Sequence, residues 1–370
     1  MHSMLSEVSA ELFTSQDARF KIGNCGTRSA QSLRSSAKRH GTVDIYRQPI
    51  NRSMKMEVRD NILRTPDECF ANLPDFDFAP HYVEIMDDRL GPLRMHYLDE
   101  GDRDAPVVLM LHGNPAWSFL YRHMIGPVVD AGYRVIVPDI IGFGKSDKPA
   151  LRSAYSFDRF VAWVRAFVEA LDLDGITFVC QDWGGPIGLR VVAELEDRFA
   201  AILATNTLLQ NIQPAPLGAQ GWPYDSTLAW IEQCRVNEDL SLHDLIGRAC
   251  YSQLSDAVLD GYAAPYPDAT YKKGMLEMTC SIPAFEGAEG LEANRAAWKV
   301  LDAWEKPFLT AFSDNDPSTV AWEAVFQHRI PGAQGQPHVR IPQAGHFVQE
   351  EQGEALARVL IDFMRANQRR

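Results

Sequence analysis

Several features that would assign the chain to other protein classes are absent from its sequence. No apolar run approaches the roughly 20 residues that a membrane helix needs. Lysine and arginine are scarce: 36 of them stand against 49 acidic residues, and the net charge of −13 argues against nucleic acid or an anionic membrane as a partner. The six cysteines lack CxxC spacing, so we expect reduced thiols rather than disulfides or a zinc site, at Cys25, Cys69, Cys180, Cys234, Cys250 and Cys280.

The first 54 residues differ in composition from the rest of the chain. They hold eight lysines and arginines, four acidic residues and nine serines, with little apolar periodicity. This composition predicts either a disordered extension over residues 1–54 or a start site assigned too far upstream, with Met54 and Met56 as alternative starts. A targeting peptide is the more specific alternative, since such peptides are rich in arginine and serine. Acidic residues such as Glu7 and Glu11, however, do not fit their acid-poor composition.

From residue 81 onward, short apolar runs alternate with helical patterns. Apolar runs bounded by Gly, Pro and Asp are typical of strands buried on both faces of a parallel sheet. Between two of them, an amphipathic helix follows Ser156, a favourable N-cap residue, and a closing helix is expected at 354–364. The pattern predicts an α/β sheet, with strands at 81–86, 93–97, 107–111, 135–137, 176–180, 201–204, 307–312 and 338–341.

Residues 210–295 interrupt this alternation. The segment has many prolines and aromatic residues and two helical patterns, at 228–235 and 240–251, but no convincing strand. Strand–helix alternation that stops and then resumes predicts an α/β core that carries an inserted helical lid. We therefore expect the core domain at 55–209 and 296–370, with the lid between these two parts.

The segment from Val179 to Pro186 is the most informative one for chemistry. A buried strand is expected to end at Cys180 and a helix to begin near Pro186, and Asp182 between them has small residues two positions before and two after it. This is the pattern of a nucleophile elbow, a strained strand-to-helix turn that has room only for small neighbours. The alternative is that Asp182 only caps the following helix.

Two further candidate groups follow predicted strands in the order that a nucleophile–acid–histidine triad requires. Asp314 and Asp316 come after the seventh predicted strand, and His346 comes after the eighth. Ligands of open α/β sheets bind beyond the carboxyl ends of the strands, so we expect these side chains to lie near Asp182. We favour Asp316 over Asp314 as the acid, although an aspartate in a turn can serve only to bind backbone N–H groups.

The loop His112-Gly113-Asn114-Pro115 directly follows the predicted strand at 107–111. In a hydrolase of this topology, that loop supplies one backbone N–H of an oxyanion hole, and the residue after the nucleophile supplies the other. The two donors would be the N–H groups of Asn114 and Trp183. The alternative is that the loop forms only a tight turn.

These motifs together resemble the haloalkane dehalogenases, a family of the α/β-hydrolase fold. The resemblance runs from about Asp60 to the C-terminus and is carried by His112–Trp117, Pro138–Pro149, Gln181–Gly185, Ala263–Asp268 and Ala344–Gln349. It implies a mostly parallel eight-stranded sheet with helices on both faces and a helical lid inserted after the sixth strand. Epoxide hydrolases and coelenterazine luciferases share the Asp-Trp-Gly-Gly elbow, so the elbow alone does not determine the substrate.

The resemblance also implies which residues bind the departing halide. Trp183 matches the first halide-binding tryptophan of the family, and Trp230 matches the lid tryptophan of one subgroup, with Trp222 as its rival. The side-chain amide of Asn114 matches the halide-binding amide of another subgroup. Indole and amide N–H groups suit this role, because the halide leaves as an anion inside an apolar cavity.

On this resemblance, the chain would hydrolyse a haloalkane to a primary alcohol and halide. An ester between the alkyl group and Asp182 would form first, and water activated by His346 would then cleave it, with Asp316 orienting the histidine. No metal or organic cofactor is expected, and the expected partners are the haloalkane, water and halide. We further expect a monomer located in the cytoplasm.

Two alternatives belong to other functional classes. A small-molecule receptor built on a hydrolase fold has no need of a nucleophile, an acid and a histidine together. An epoxide hydrolase would use the same aspartate nucleophile but would protonate the leaving oxygen with lid tyrosines, for which the sequence offers Tyr224, Tyr251, Tyr262, Tyr266 and Tyr271.

Overall fold

The structure, a computed structural model, describes residues 61–211 and 224–368. The expected extension at 1–54 and Trp222 lie outside these residues. Within the described ranges, no helix is long and apolar enough to cross a membrane. The five cysteines in this part of the chain are free thiols; Cys180 and Cys234 are buried and the other three are partly buried.

An eight-stranded sheet forms the centre of the fold. Its strands are β1 (His81–Asp87), β2 (Gly91–Glu100), β3 (Val107–Leu111), β4 (Arg134–Pro138), β5 (Ile176–Asp182), β6 (Phe199–Thr207), β7 (Phe308–Ser313) and β8 (Val339–Ile341). Their order across the sheet is β8-β7-β6-β5-β3-β4-β2-β1, and only β2 runs antiparallel to its two neighbours. The predicted mostly parallel eight-stranded sheet is confirmed.

Helices cover both faces of this sheet. They are α1 (Arg122–Asp130), α2 (Phe157–Ala170), α3 (Gly184–Glu194), α4 (Tyr224–Val236), α5 (Leu242–Ala249), α6 (Asp256–Ala263), α7 (Lys273–Cys280), α8 (Leu291–Leu301), α9 (Val320–Arg329) and α10 (Val348–Gln368). Alternate residues of β3 point to opposite faces. Leu109 and Leu111 join an apolar cluster with α2, α3, α8 and α9, whereas Val108 and Met110 join a second cluster with α1 and α10.

Two local side-chain contacts shape the ends of these elements, and the first confirms a predicted helix cap. The hydroxyl of Ser156 accepts a hydrogen bond from the N–H of Arg159 and so caps α2. The hairpin between β1 and β2 is closed by Asp87, whose carboxylate accepts hydrogen bonds from the N–H groups of Arg89 and Leu90 at 2.8 Å each. Both are local side-chain-to-backbone bonds of the kind that end one element and begin the next.

The lid lies between β6 and β7, as predicted. The described residues of this region form helices and no strand, and the patterns at 228–235 and 240–251 correspond to α4 and α5. Helix α4 packs against α7, and α5 packs against α6. Helix α8 spans the expected lid boundary at residue 295 and packs against α3. The last helix of the lid insertion therefore packs directly against a helix of the α/β core.

Candidate active site

Asp182 lies at the turn between β5 and α3. Its φ of +49° is a left-handed conformation that is uncommon for a residue with a side chain. A Cβ atom on Gly184 would overlap the carbonyl oxygen of Leu111, and one on Gly185 would overlap the hydroxyl of Thr207. The turn therefore has room only for glycine at these two positions. This is the local geometry that the elbow pattern predicts.

Two groups contact the carboxylate of Asp182, one at each oxygen. The backbone N–H of Asn114 donates to Oδ1 at 2.7 Å, and Nε2 of His346 lies 3.3 Å from Oδ2. The Asn114 loop can come this close because a side chain at Gly113 would overlap Asp182 itself. The hydroxyl of Thr207 also donates to the backbone carbonyl oxygen of Asp182 at 2.6 Å. The elbow and the predicted oxyanion loop thus lie against one another.

His346 lies between two carboxylates. Its Nδ1 is 2.9 Å from Oδ2 of Asp316, and its Nε2 faces Asp182. Burial alone would lower the pKa of His346, but the two carboxylates outweigh burial and raise it to about 10. Burial alone would raise the pKa of Asp316, but the charge of His346 and several hydrogen bonds lower it to about 2. The two carboxylates therefore favour the imidazolium form of His346.

The structure distinguishes Asp316 from Asp314. Asp316 is 2% exposed and accepts hydrogen bonds from the N–H of Ser318 at 3.0 Å and from the hydroxyls of Ser318 and Thr319. Asp314 is exposed, and its carboxylate contacts the side chain of the neighbouring asparagine. Of the two candidate acids, only Asp316 contacts His346.

The side chain of Asn114 contacts the lid. Its amide nitrogen donates to the carbonyl oxygen of Met275 at 3.0 Å and to the hydroxyl of Thr279 at 2.9 Å, both on α7. Its Oδ1 is buried and has no hydrogen-bond partner in the described part of the chain. Both amide hydrogens therefore have acceptors within the protein in this structure. The predicted halide-binding amide lies at the site, but it holds a lid helix there.

Two of the three candidate halide-binding tryptophans contribute to one apolar cluster. Trp183 is 5% exposed and contacts the ring of Phe157 edge-to-face at 5.2 Å. Trp183 directly follows the elbow aspartate in sequence. Its indole N–H has no acceptor among residues 61–211 and 224–368. Trp230 on α4 is partly buried and packs against the same cluster. An indole N–H without a protein acceptor is available to an anion.

The lid tyrosines have other contacts. The hydroxyl of Tyr262 donates to a buried carboxylate at 2.7 Å, and that of Tyr266 donates to a backbone carbonyl at 3.4 Å. Tyr251 is 57% exposed, Tyr271 is partly buried, and the side chain of Tyr224 is not described. In the part of the chain that the structure describes, no hydrogen bond joins a lid tyrosine to the nucleophile or the histidine. This arrangement does not favour the epoxide hydrolase alternative.

The loop that contains Gly345 and His346, called the histidine loop below, is held by three polar side chains that the sequence did not indicate. Gln181 donates to the carbonyl oxygen of His346 at 3.1 Å, and Asn206 donates to the carbonyl oxygens of Gly345 at 2.8 Å and His346 at 3.0 Å. Glu351 accepts a hydrogen bond from the N–H of Gly345 at 2.7 Å. Gln181 and Asn206 lie at the carboxyl ends of β5 and β6, a position that could have indicated them. Glu351 has no such signal.

Comparisons with known proteins agree with this fold. The family model described as alpha/beta hydrolase fold matches residues 106–352. The haloalkane dehalogenase of Psychrobacter cryohalolentis is 46% identical over 308 residues, which cover 83% of this chain and 99% of the relative. The haloalkane dehalogenase of Mycolicibacterium paratuberculosis is 42% identical over 306 residues, with the same two coverages.

Solved structures give the same result. The haloalkane dehalogenase DpaA from Paraglaciecola agarilytica, described as tetrameric, superposes with a TM-score of 0.72 at 33% identity, covering 80% of this chain and 97% of DpaA. DatA from Agrobacterium tumefaciens superposes with a TM-score of 0.62 at 25% identity, covering 81% of this chain and 99% of DatA. The chain belongs to the haloalkane dehalogenases, within the α/β-hydrolase fold family.

Proposed function

We propose that the chain hydrolyses haloalkanes to an alcohol and halide, with Asp182 as the nucleophile, His346 as the base and Asp316 as its acid partner. One observation carries the proposal. The carboxylate of Asp182 is contacted at one oxygen by the N–H of Asn114 and at the other by His346, which is itself bound to Asp316. Close relatives that are named haloalkane dehalogenases support the same reaction.

The first step forms a covalent ester. Oδ2 of Asp182 attacks the carbon that carries the halogen, the new C–O bond replaces the carbon–halogen bond, and the halide leaves with the bonding electron pair. Oδ1 stays against the N–H of Asn114 at 2.7 Å and becomes the carbonyl oxygen of the ester. An aspartate suits this step, because its carboxylate can attack saturated carbon and its ester then offers a carbonyl group to water.

The departing halide is bound by indole N–H groups. Trp183 supplies the first, since it is buried, follows Asp182 in sequence and has no acceptor within the described residues. Trp230 supplies the second from the lid. The amide of Asn114 makes no such contact while α7 holds it. In a site shielded from water, oriented N–H donors stabilise a developing anion more strongly than they would in solvent.

The second step needs a neutral histidine. In the free enzyme, two carboxylates keep His346 protonated, with a pKa of about 10. Formation of the ester removes the charge of Asp182, so the pKa of His346 falls and the imidazolium releases its proton to solvent. The neutral imidazole can then accept a proton from water. The hydroxide attacks Cγ of Asp182, and the N–H groups of Asn114 and Trp183 stabilise the oxyanion, each by about 3 kcal/mol. The ester bond then breaks, and the oxygen of the leaving alcohol takes a proton from the imidazolium of His346. Asp182 returns to the carboxylate form as its own proton passes to His346.

Halide release tests this function. We expect the purified protein to release bromide and acid from 1-bromobutane and 1,2-dibromoethane, and the Asp182→Ala variant to stay folded and release none. Release by both proteins would contradict the role of Asp182. If the protein released no bromide but converted styrene oxide to its diol, the epoxide hydrolase alternative would replace the proposal.

We also propose that the chain is a monomer and is located in the cytoplasm. The structure of DpaA is described as tetrameric. Sedimentation of the purified chain tests the first expectation, and a sedimenting dimer or tetramer would contradict it.

A further inference from the structure

We propose that Glu351 is a positioning residue for His346, because one carboxylate ties the histidine loop to the lid. The inference rests on the proposed function, in which His346 is the base of the second step. Glu351 lies in the first turn of α10, five residues after His346, and its hydrogen bonds go to Gly345, Tyr251 and Ser252, not to Asp182 or Asp316. It therefore acts through the loop and not on the reacting atoms.

The histidine loop lies directly against the segment that follows α5. The N–H of His346 donates to the carbonyl oxygen of Ala249 at 2.7 Å. A Cβ atom on Gly345 would overlap that same carbonyl oxygen, so the glycine is what allows the close approach. The N–H of Gly345 in turn donates to Oε2 of Glu351 at 2.7 Å. Two successive backbone N–H groups of the loop are thus fixed, one by the lid and one by Glu351.

The carboxylate of Glu351 also binds the lid. Oε2 accepts a second hydrogen bond from the N–H of Tyr251 at 3.0 Å. Oε1 accepts hydrogen bonds from the N–H of Ser252 at 2.5 Å and from its hydroxyl at 2.6 Å. One carboxylate therefore accepts four hydrogen bonds, one from the histidine loop and three from the lid. Hydrogen bonds to an ionised acceptor are about twice as strong as those between neutral groups.

The two chemical steps depend on different contacts, and this difference separates the role of Glu351 from a general structural one. The alkylation step needs Asp182 in place, which the N–H of Asn114 and the hydroxyl of Thr207 ensure without Glu351. The hydrolysis step needs Nε2 of His346 within reach of a water at Cγ of Asp182. A shift of about 1 Å in a catalytic group can cost 100-fold in rate.

Single-turnover kinetics with excess enzyme and 1,2-dibromoethane test the inference. Bromide release reports alkylation, and formation of 2-bromoethanol reports hydrolysis. For Glu351→Ala, we expect alkylation to stay within about twofold of wild type, while hydrolysis falls at least about tenfold. The alkyl-enzyme then accumulates and is seen as added mass on Asp182. Glu354→Ala, on the same helix and ion-paired with the exposed Arg358, is the matched control and should leave both steps unchanged.

Two more variants keep the result decisive. Ser252→Ala removes one lid contact but leaves the bond to Gly345, so it should not slow hydrolysis; the same loss as in Glu351→Ala would overturn the proposal. Glu351→Gln keeps one acceptor oxygen and should give an intermediate loss, and it replaces Glu351→Ala if that variant does not fold. Equal loss in both steps, or no loss, would also overturn the role. If wild type itself released no bromide, the proposed function would fail instead.

Discussion

Replacement of Asp316 by asparagine should block the second chemical step and leave the first. Oδ1 of Asp316 accepts hydrogen bonds from the N–H and the hydroxyl of Ser318. Oδ2 accepts hydrogen bonds from the hydroxyl of Thr319 and from Nδ1 of His346. An asparagine oxygen will remain with the two donors of Ser318, so its NH₂ group will face His346. Nδ1 must then accept a hydrogen bond, the ring proton moves to Nε2, and Nε2 can no longer take a proton from water.

The size of the expected rate loss in Asp316→Asn follows from the distance between His346 and Asp316. Nδ1 of His346 lies 2.9 Å from Oδ2 of Asp316. At an effective dielectric constant of about 20, an ion pair at this distance gains about 6 kcal/mol. The hydrolysis transition state carries an imidazolium, so loss of the carboxylate charge should slow that step by about 10⁴-fold.

A rapid-mixing assay with 1,2-dibromoethane measures the effect. Asp316→Asn should release about one bromide per active site in a burst and then stop, with the alkyl group retained on Asp182. Asp314→Asn is the matched control, because Asp314 is exposed, lies two residues away and does not contact His346. A loss of less than about tenfold in hydrolysis for Asp316→Asn, or an equal loss in the control, would refute the reasoning.

Three further predictions concern pH, the halide and stability. Single-turnover hydrolysis should rise with pH and level off below pH 10, because Asp316 and Asp182 together raise the pKa of His346 to about 10 and the ester leaves only Asp316 charged; a midpoint at about pH 10 would count against the proposed neutralisation. Trp183→Phe removes an N–H donor to an anion, worth about 1.5–3 kcal/mol, so calorimetry should show bromide binding roughly 10- to 100-fold weaker; unchanged affinity would exclude Trp183 as a donor. Glu350 and Arg122 form a buried ion pair with two 2.6 Å contacts and side chains 5% and 1% exposed. Glu350→Gln should lower the free energy of unfolding by about 3–5 kcal/mol in denaturant titrations, and a loss below about 1 kcal/mol would contradict this.

The elbow and its partners were predictable because their signals are local. Small neighbours around Asp182 indicate a turn that has no room for side chains, and the strand ends before His346 and Asp316 place both residues at one edge of the sheet. The helix start was less accurate: α3 begins at Gly184, and Pro186 occupies its first turn. Helical backbone angles appear already at Trp183, so Pro186 lies where a missing N–H costs nothing.

The direction of side chains was not predictable. Asp314 and Asp316 lie in one turn, and only the path of the chain after β7 decides which of them is buried against His346. The partners of the Asn114 amide are 161 and 165 residues away in the chain. The motif around Asn114 therefore cannot show that a lid helix contacts this side chain. The role of Glu351 likewise depends on a segment 99 and 100 residues distant.

The central claim is that the oxygen of the alcohol comes from Asp182 and not directly from water. A single turnover of 1-bromobutane with excess enzyme in water labelled with ¹⁸O tests it. If the ester forms and water attacks its carbonyl carbon, 1-butanol will carry ¹⁶O and the peptide containing Asp182 will gain one ¹⁸O. Label found in the alcohol and absent from Asp182 would show direct attack by water and would contradict the account.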